Sequence, residues 1–336
     1  MTRIAGTDPE GSALDLSVSI VTFDSAPCLP DLLDGIRTQT GVTFETFFVD
    51  NGSRDATRAS LVRQALGAVT LHDENIGFGR AHNRNLGRFR GRYVLFLNPD
   101  VRFGPTLFAQ LTAFLDAHPD VAIAGPRVRE GVARREFPPR RFYPGEGMVA
   151  LEPGLRRREI AWIQGCCLII RRQILETLGG FDPDFFLYAE ETDLCLRARR
   201  AGHRIGCCDT VEVHHLQDQL LWDGDATERL RQLFRGVATF CDKHYGTSDV
   251  RRMIRFQYWT CRLLLGLEPT LRIAARRWPR LAPQRVRARL DVCRNAMTRH
   301  RMQPASFADL PLRIMLRQLR LLAYAMVHWK PPLDDY

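Results

Sequence analysis

The chain has 336 residues, 45% of them apolar, and a formal net charge of +10, which predicts a globular protein of about two domains with a substantial core. The polar N-terminus has no apolar signal segment, and the longest apolar runs fall far short of the roughly 18 residues that span a membrane, so we expect a cytoplasmic protein. Nine cysteines without a CxxC spacing exclude a dense disulfide framework and indicate buried, reduced thiols.

After an N-terminal tail over residues 1–15 that we expect to be flexible, apolar strand-like runs alternate with helix-like segments. This alternation predicts an α/β domain over residues 16–225, built on an open, mostly parallel sheet with helices on both faces. The predicted strands are Ser17–Phe23, Phe44–Asp50, Ala68–His72, Tyr93–Leu97, Val121–Ala124 and Ala161–Ile170.

Two of the intervening helices are predicted from apolar spacing. The stretch 29–36 has apolar residues at i, i+3, i+4 and i+7, the spacing of a buried helical stripe. Pro105 is suited to begin a second helix, which carries apolar residues from Leu107 to Leu115. Glycine, proline and arginine become frequent between residues 126 and 158, which predicts a long loop.

The last part of the chain, residues 226–336, has helical patterns without strands and carries most of the positive charge. From Arg229 onward there are 22 Lys and Arg against 7 Asp and Glu, a net +15 that leaves −5 for the first 228 residues. Apolar residues between Leu312 and Met326 share one helical face, and arginines lie off that face. Three roles are open for this basic helical region. It could contact an anionic membrane surface, pack on its own domain or pair two protomers.

Two carboxylates stand where predicted strands end. Asp50 closes FFVD and Asp100 follows the buried run LFLNP. Ligands of open α/β sheets bind outside the carboxyl ends of the strands. A single aspartate at such a place is usually a turn former or a helix cap, but two in neighbouring units favour a binding site.

Ordered motifs between Leu16 and Leu216 carry a resemblance to a known family. They are VSIVTFDSAPCLPDLL, FFVDNGSRDAT, ENIGFGRAHNRNL, LFLNPD, WIQGCCLIIRR, GGFDPDFFLYAEETDLCLRARRAG and VHH. Together they resemble family 2 inverting glycosyltransferases, notably the rhamnosyltransferase-like branch. The resemblance implies a glycosyltransferase A fold with a C-terminal helical extension, a nucleotide-diphosphate sugar donor, a divalent cation and a single displacement that inverts the anomeric carbon.

The family often holds its cation on a DXD motif, and this chain has Asn98-Pro99-Asp100 in that place. Metal binding therefore depends on Asp100, with Asn98 beside the donor. His215, or else His214, matches the family's metal-binding histidine, and His215 is preferred by position. Mg²⁺ and Mn²⁺ both take hard oxygen ligands, and an imidazole ligand favours Mn²⁺.

The resemblance also implies which residues bind the nucleotide. Asp50 accepts hydrogen bonds from the base or the ribose, and Thr22 and Phe23 form the other wall of that pocket.

The stretch ENIGFGR corresponds to a loop near the donor. Asn75 and Gly77 belong to it, and a glycine permits close backbone approach. Arg80 is either a phosphate ligand or a solvated residue at the start of a helix.

The general base is expected in AEETDLCLR. The family usually has Glu-Asp here, with the aspartate as base, whereas this chain has Glu190-Glu191 and therefore Glu191 in the base position. Glutamate is one methylene longer, and a misplacement of about 1 Å can cost on the order of 10²-fold in rate. The alternative for Glu190 and Asp193 is that they are acidic residues of a helix's first turn.

Trp162, Gly165 and Glu190 fall where the family lines its acceptor pocket. An indole offers a flat apolar face to a sugar ring or a lipid carrier. The alternative is that Trp162 is a core residue at the start of a strand.

The leading prediction is transfer of rhamnose or a similar sugar to a cell-surface polysaccharide or a polyprenyl-linked saccharide, at the inner face of the membrane. One alternative is a membrane-associated nucleotide-sugar-binding protein that has lost catalysis, suggested by Glu191 and by Asp24, where the family usually has Asn. Another is a nucleotidyltransferase, against which the chain has no glycine-rich triphosphate loop. Nucleic-acid binding is not expected, because the basic residues lack interleaved aromatic residues.

Overall fold

A computed structural model shows one mixed sheet at the centre of the first of two compact units, which are divided between His244 and Tyr245. The described strands are β1 (Leu16–Thr22), β2 (Phe44–Asn51), β3 (Ala68–His72), β4 (Tyr93–Leu97), β5 (Val101–Arg102), β6 (Val121–Glu130), β7 (Arg135–Phe137), β8 (Cys167–Arg171) and β9 (Arg204–His215). The structure describes residues 14–64, 66–131, 133–146, 151, 159–216, 226–266 and 283–302.

The helices of the first unit connect these strands and cover the sheet. They are α1 (Leu29–Arg37), α2 (Thr57–Gln64), α3 (Phe78–Asn83), α4 (Leu107–Ala117), α5 (Arg172–Leu178), α6 (Glu190–Arg200) and α7 (Ala226–His244). The strands lie in the order β3-β2-β1-β4-β8-β6-β9-β5, and β7 pairs with β6.

The central strands are buried along their whole length, as expected for strands that are covered on both faces. On one face, apolar residues of β1 join the core together with the buried sides of α1 and α4. On the other face, Ser17 donates a hydrogen bond to Glu45 (2.7 Å) and Ser19 bonds the ring of His82 (2.8 Å). The two serine hydroxyls that enter this core therefore find partners there.

The α/β prediction is confirmed, and the first four predicted strands agree with the observed bounds to within one residue. The expectation of a mostly parallel sheet holds for β3, β2, β1 and β4 and for the pair of β6 with β9. It is wrong for two strands, because β8 runs antiparallel to both β4 and β6, and β5 runs antiparallel to β9. The apolar run before Arg171 indicates that this segment is buried. It does not indicate the direction of the strand, because the hydrophobic pattern is the same in both directions.

Two further differences concern the region that was predicted to be a loop. Strand β6 continues to Glu130 and forms a hairpin with β7, so the predicted loop over residues 126–158 begins as sheet. The predicted strand Ala161–Ile170 forms regular pairing only from Cys167, and Trp162 makes an isolated bridge to Arg140. Gln164 and Gly165 separate the two parts, since a glycine weakens a strand at its position.

The second unit contains helices α8 (Thr247–Gly266) and α9 (Pro283–Arg299), which pack on each other through apolar residues. None of the described helices combines the length and the apolar character needed to cross a membrane. The predicted amphipathic helix over residues 312–326 and the tail up to residue 13 lie outside the described residues.

A buried aspartate fixes the position of α6 within the first unit. Asp193 accepts from Arg197 Nε (2.7 Å) and bonds His244 Nε2 at the end of α7 (2.8 Å). Arg197 in turn donates to the carbonyl oxygens of Leu178 and Gly180, at 2.8 Å each. Asp193 is therefore a structural residue that joins three segments around the start of α6.

Replacing Asp193 by asparagine should lower the free energy of unfolding by about 1.5–3 kcal/mol, because a hydrogen-bonded buried charge is lost. Urea unfolding followed by circular dichroism measures this. The matched control is Asp184→Asn. The Asp184 side chain is 66% exposed and pairs with Lys243 of α7, so its loss should lower the free energy of unfolding by less than about 1 kcal/mol. Equal effects of the two substitutions would contradict the role assigned to Asp193.

Candidate active site

A cavity of about 270 Å³ lies at the carboxyl ends of β1, β2 and β4. Three further segments complete its wall, namely residues 98–100, residues 186–188 and the first turns of α7. Five of the residues predicted for the donor side line it: Phe23, Asn75, Asn98, Asp100 and His215. The strand-end location agrees with the general position of ligands in open α/β sheets.

Asp100 and His215 face each other in this cavity. The antiparallel pairing of β5 with β9 places Val101 opposite His215, and the amide of Leu216 donates to the carbonyl of Asp100 at 2.9 Å. The side chains meet at 3.3 Å between Asp100 Oδ1 and His215 Nε2, and they are only 10% and 6% exposed. Strand pairing thus joins two residues that are 115 positions apart in the chain.

His215 has further polar neighbours on its other ring nitrogen. Its Nδ1 lies 3.5 Å from Gln164 Nε2 and 3.7 Å from Glu130 Oε1. Burial lowers the pKa of His215, but interactions with Cys166 and Asp100 outweigh burial and hold the pKa well above its usual value. In the absence of a bound cation, His215 is therefore the positive partner of Asp100.

The adjacent histidine has a different environment. His214 Nε2 bonds the carbonyl oxygen of Gly131 at 2.8 Å, and His214 is not among the described residues that line the cavity. Successive side chains of a strand point to opposite faces, so only one of the two can face Asp100. Of the two predicted metal ligands, the structure brings His215 to Asp100.

The residues present fit a divalent cation that shares its coordination with a phosphate. In the described part of the chain there is no cluster of three or more His, Cys, Asp or Glu residues able to hold a metal. Mg²⁺ and Mn²⁺ sites in phosphate-processing enzymes use one or two carboxylates together with substrate oxygens and water. The pair Asp100 and His215 meets that requirement, and Asn98 Oδ1, also buried, has no hydrogen-bond partner among the described protein atoms.

Asp50 lies deeper than the sequence suggested. It is fully buried, and its carboxylate accepts hydrogen bonds from Thr22 Oγ1 and from the hydroxyl and amide of Ser53. Asp50 and Thr22 are not among the described residues that line the cavity, whereas the next residue, Asn51, is. Asn51 is a residue that sequence reasoning missed, although its place directly after a strand-end aspartate was a usable signal.

Asn51 also shapes the donor loop. It donates to Asn75 Oδ1 (2.9 Å) and accepts from the amide of Ile76 (3.0 Å). Gly77 has φ of 97°, and a Cβ there would lie 2.7 Å from the carbonyl oxygen of Phe186. A glycine is needed at this position because the loop approaches the 186–188 wall so closely.

Arg80 contacts the protein rather than the cavity. Its Nε donates to the carbonyl oxygen of Pro183, and Arg80 is not among the described cavity-lining residues. Arg80 is exposed in the first turn of α3, as in the interpretation of a solvated residue at the start of a helix, and its role as a phosphate ligand stays a prediction.

The predicted base is at the start of α6. Ala189, the residue before the helix, has φ of 69°, and Tyr188 has the same value. Glu191 is half-buried and lies against Gly165, where a Cβ would be 3.2 Å from Glu191 Cβ. Glu191 is not among the described cavity-lining residues, but Gly165 follows Gln164, which contacts His215, and this connects the two sites.

Glu190 and Glu191 form a pair of carboxyl groups with different environments. Glu190 is 5% exposed, and no described protein atom bonds its Oε2. Burial, followed by the charge of Glu191, raises the pKa of Glu190 well above its usual range. Burial raises the pKa of Glu191 to about 7. Burial therefore favours the protonated form of Glu190, and Glu191 changes its charge near pH 7.

Trp162 is a buried residue that is 3% exposed. Its Nε1 donates to the carbonyl oxygen of Phe142 at 3.0 Å, and its ring lies 6.3 Å from that of Phe137. This environment matches the core interpretation of Trp162. Gly165 lies beside the predicted base Glu191, and its place in an acceptor pocket stays a prediction.

Helix α7 supplies cavity residues that sequence reasoning did not single out. Glu228, Arg229 and Gln232 line the cavity, and Arg229 Nε donates to the hydroxyl of Tyr188 at 2.9 Å. The sequence indicates them only through helical spacing, because positions four residues apart, such as Glu228 and Gln232, lie on the same face of a helix.

The comparisons with known proteins agree with this geometry. The model of the family described as Glycosyl transferase family 2 matches residues 17–179. An N-acetylglucosaminyl-diphospho-decaprenol L-rhamnosyltransferase of Mycobacterium tuberculosis is 30% identical over 237 residues, which are 60% of this chain and 75% of that protein. The low-salt glycan biosynthesis hexosyltransferase Agl10 of Haloferax volcanii is 27% identical over 268 residues, 75% of this chain and 82% of that protein.

Solved structures share the fold. TarS of S. aureus superposes with a TM-score of 0.51 at 18% identity, covering 85% of this chain and 54% of that one. GalNAc-T7, crystallised with UDP, GalNAc and Mn²⁺, gives a TM-score of 0.50 at 14% identity, covering 69% of this chain and 48% of that one. The chain thus spans about half the length of both structures, which have the glycosyltransferase A fold that the motifs implied. On the family model and the relative that is 30% identical, the chain belongs to glycosyl transferase family 2.

Proposed function

We propose that this glycosyltransferase is an inverting, metal-dependent enzyme that moves rhamnose or a similar hexose from a nucleotide-diphosphate sugar to a hydroxyl of a saccharide on a polyprenyl carrier. The single observation that carries the proposal is the buried pair Asp100 and His215 in a cavity at the carboxyl ends of β1, β2 and β4. The Mycobacterium tuberculosis relative, an N-acetylglucosaminyl-diphospho-decaprenol L-rhamnosyltransferase, supports the choice of sugar and carrier.

In this proposal the nucleotide lies at the ends of β1 and β2. Phe23 and Asn51 line the cavity there, with the aromatic ring available for stacking on a base. Asp50 supports this part of the cavity wall from beneath. Its hydrogen bonds to Thr22 and Ser53 hold the end of β2 in place. Direct contact of Asp50 with the base or ribose remains the prediction from the resemblance.

Asp100 and His215 would hold the cation, whose positive charge offsets the charge that develops on the leaving diphosphate. The 3.3 Å separation of the Asp100 and His215 side chains supports a shared cation. An imidazole ligand favours Mn²⁺ over Mg²⁺, and Mn²⁺ is the ion in the GalNAc-T7 crystals.

The transfer step needs a base on the acceptor side. A hydroxyl oxygen of the acceptor attacks the anomeric carbon, and the proton of that hydroxyl passes to the carboxylate of Glu191. The bond from the anomeric carbon to the diphosphate oxygen breaks, and its electron pair goes to that oxygen. Attack from the side opposite the leaving group inverts the anomeric configuration. A pKa of about 7 suits a base that works near neutral pH.

The C-terminal region is proposed to bring the enzyme to its lipid-linked acceptor at the inner face of the membrane. The net charge of +15 from Arg229 onward attracts anionic lipid, at about 1 kcal/mol for each Lys or Arg near the surface.

A catalytically impaired nucleotide-sugar-binding protein is the second candidate. It is favoured by one observation, that Glu191 is absent from the described lining of the cavity. Such a protein would bind donor without releasing nucleoside diphosphate.

Replacing His215 by alanine should abolish the additional thermal stabilisation that Mn²⁺ gives in the presence of UDP, dTDP or GDP, because one of two protein ligands is lost. A nucleotide at 100 times its Kd stabilises by about 2.7 kcal/mol, which thermal-shift assays with and without Mn²⁺ resolve. The matched control is His214→Ala, which should keep the Mn²⁺ effect. Loss of the effect in His214→Ala and its retention in His215→Ala would reverse the assignment.

Replacing Glu191 by glutamine should lower the transfer rate by roughly 10²–10⁴-fold, the usual contribution of a positioned base, with donor binding unchanged. The assay follows nucleoside diphosphate release from dTDP-rhamnose and UDP-hexoses, with N-acetylglucosaminyl-diphospho-decaprenol as the first acceptor tested. Glu176→Gln on the exposed face of α5 serves as the control.

The wild-type rate should rise with pH below about 7 and level off above it, because the deprotonated form of Glu191 is the active one. A flat or falling profile, or full activity in Glu191→Gln, would show that Glu191 is not the base. Donor binding without any nucleoside diphosphate release from the wild type would favour the impaired binding protein.

A further inference from the structure

The carboxylate of Glu130 lies behind the proposed metal ligand His215, and the proposed mechanism does not use it. Parallel pairing of β6 with β9 sets Glu130 directly opposite His215, and the amide of Gly131 donates to the His215 carbonyl oxygen at 3.0 Å. Side chains alternate between the two faces along each strand, so residues that are paired at the same level point to the same face. Strand register therefore places this carboxylate beside the imidazole ring.

The two ring nitrogens of His215 meet different partners. Nε2 lies 3.3 Å from Asp100 Oδ1, whereas Nδ1 lies 3.7 Å from Glu130 Oε1 and 3.5 Å from Gln164 Nε2. Coordination of a cation through Nε2 uses the lone pair of that nitrogen, so the neutral ring carries its proton on Nδ1. The Nδ1–H group then needs a hydrogen-bond acceptor on the far side of the ring from Asp100.

Among the described groups around Nδ1, Glu130 Oε1 is the strongest acceptor. The Gln164 atom that lies 3.5 Å from Nδ1 is an amide nitrogen, and it donates to the same oxygen of Glu130. The Cys166 thiol also contacts the ring, but a thiol accepts hydrogen bonds only weakly. The N–H groups of Gln164 and His215 are thus both directed to one carboxylate oxygen.

Glu130 is available for this bond. Its side chain is 21% exposed, and within the described ranges its one ion pair is the contact with His215. Arg129, the preceding residue, points to the other face of the sheet and pairs with Glu212 at 3.0 Å. No cation of the described segments therefore draws the Glu130 carboxylate away from the ring.

We propose that Glu130 is the positioning residue of the metal ligand His215. Its carboxylate accepts the hydrogen bond of Nδ1–H and keeps Nε2 directed at the cation, and Gln164 holds the carboxylate in place. The inference rests on the proposed function, since it assumes a divalent cation bound by Asp100 and His215. Histidine ligands of metals usually donate their second N–H to a carboxylate, a carbonyl or water, and loss of that partner typically lowers metal affinity or activity 10–100-fold.

The alternative is that Gln164 orients the ring without Glu130. Gln164 Oε1 is buried and has no hydrogen-bond partner among the described protein atoms. An amide turned by 180° would offer an oxygen to Nδ1 in place of the nitrogen. Substitution of Glu130 would then have little effect on the metal, whereas substitution of Gln164 would weaken its binding.

The test measures Mn²⁺ binding to the full chain in the presence of UDP, dTDP or GDP, from the electron paramagnetic resonance signal of free Mn²⁺. Glu130→Ala should raise the Kd of Mn²⁺ by about 10–100-fold. Glu130→Gln keeps an acceptor oxygen without the charge, and its Kd should lie between those of Glu130→Ala and the wild type. Gln164→Leu should raise the Kd less than Glu130→Ala does.

The matched control is Glu212→Ala. It removes a 44%-exposed carboxylate from the strand that carries His215, and the Kd of Mn²⁺ should change by less than about twofold because an exposed ion pair contributes little. Thermal unfolding without ligand shows whether each variant is folded, and Glu130→Gln carries the test if Glu130→Ala is not.

Pulsed electron paramagnetic resonance supplies a readout that a purely structural role of Glu130 would not change. Electron spin echo envelope modulation detects the nitrogen of an imidazole that is bound to Mn²⁺. His215→Ala should abolish this modulation. Glu130→Ala should reduce it in the protein that still binds Mn²⁺ through Asp100, because the ring is no longer held in the ligating orientation.

An unchanged Mn²⁺ affinity and an unchanged imidazole modulation in Glu130→Ala and Glu130→Gln would overturn the inference and leave the proposed function intact. The same holds if Gln164→Leu has the larger effect, or if Glu212→Ala reproduces the loss seen in Glu130→Ala. If the wild type binds no Mn²⁺ with any of the three nucleotides, or binds it without imidazole modulation, the metal site of the proposed function fails and the inference fails with it.

Discussion

The contact between Asp100 and His215 is the interaction on which the candidate site depends. One residue follows β4 at the centre of the sheet, and the other ends β9 near its edge. The two-residue strand β5 pairs with the end of β9 and brings them together at 3.3 Å. Burial strengthens the attraction between opposite charges at this distance, and it also makes the loss of either partner costly. A displacement of β9 would therefore separate the predicted cation ligands.

The segment 164–166 links this pair to the acidic start of α6. Cys166 accepts a backbone hydrogen bond from Asn98 and contacts His215, while Gln164 contacts the far side of the same ring. Gly165, between them, lies against Glu191. Three consecutive residues thus contact both the proposed metal ligands and the proposed base. The segment 164–166 therefore connects the proposed metal ligands with the proposed base through three consecutive residues.

Most of the parallel half of the sheet could be predicted from the sequence, because fully buried strands appear as continuous apolar runs such as LFL before Asn98. The place of Asp100 at a strand end was also evident, whereas its metal-binding role was implied by the family resemblance. The antiparallel directions of β8 and β5 could not be predicted in the same way, since the hydrophobic pattern indicates burial and not pairing direction. Strand β7 and the extension of β6 were also missed, because charged residues interrupt the apolar pattern near Glu130 and Arg135.

Site residues were harder to predict where tertiary contacts decide their role. Asp50 was identified correctly as a strand-end carboxylate, yet Ser53 and Thr22 occupy its oxygens, and Asn51 faces the cavity instead. Arg80 stands in a loop near the donor in sequence, but the carbonyl of Pro183 takes its Nε. Arg229 has no local motif at all, and only the packing of α7 reveals it. Such roles depend on segments that are distant in the chain.

The central claim is that Asp100 and His215 bind a divalent cation together with a nucleotide diphosphate. Anomalous diffraction at the manganese edge, from crystals grown with Mn²⁺ and UDP or dTDP, tests this most directly. If Asp100 and His215 bind the cation, we expect one strong anomalous peak within bonding distance of an Asp100 carboxylate oxygen, His215 Nε2 and a phosphate oxygen. Two results with nucleotide diphosphate bound would contradict this assignment. In the first, the manganese peak lies elsewhere; in the second, Asp100 and His215 remain paired with each other and no manganese lies beside them.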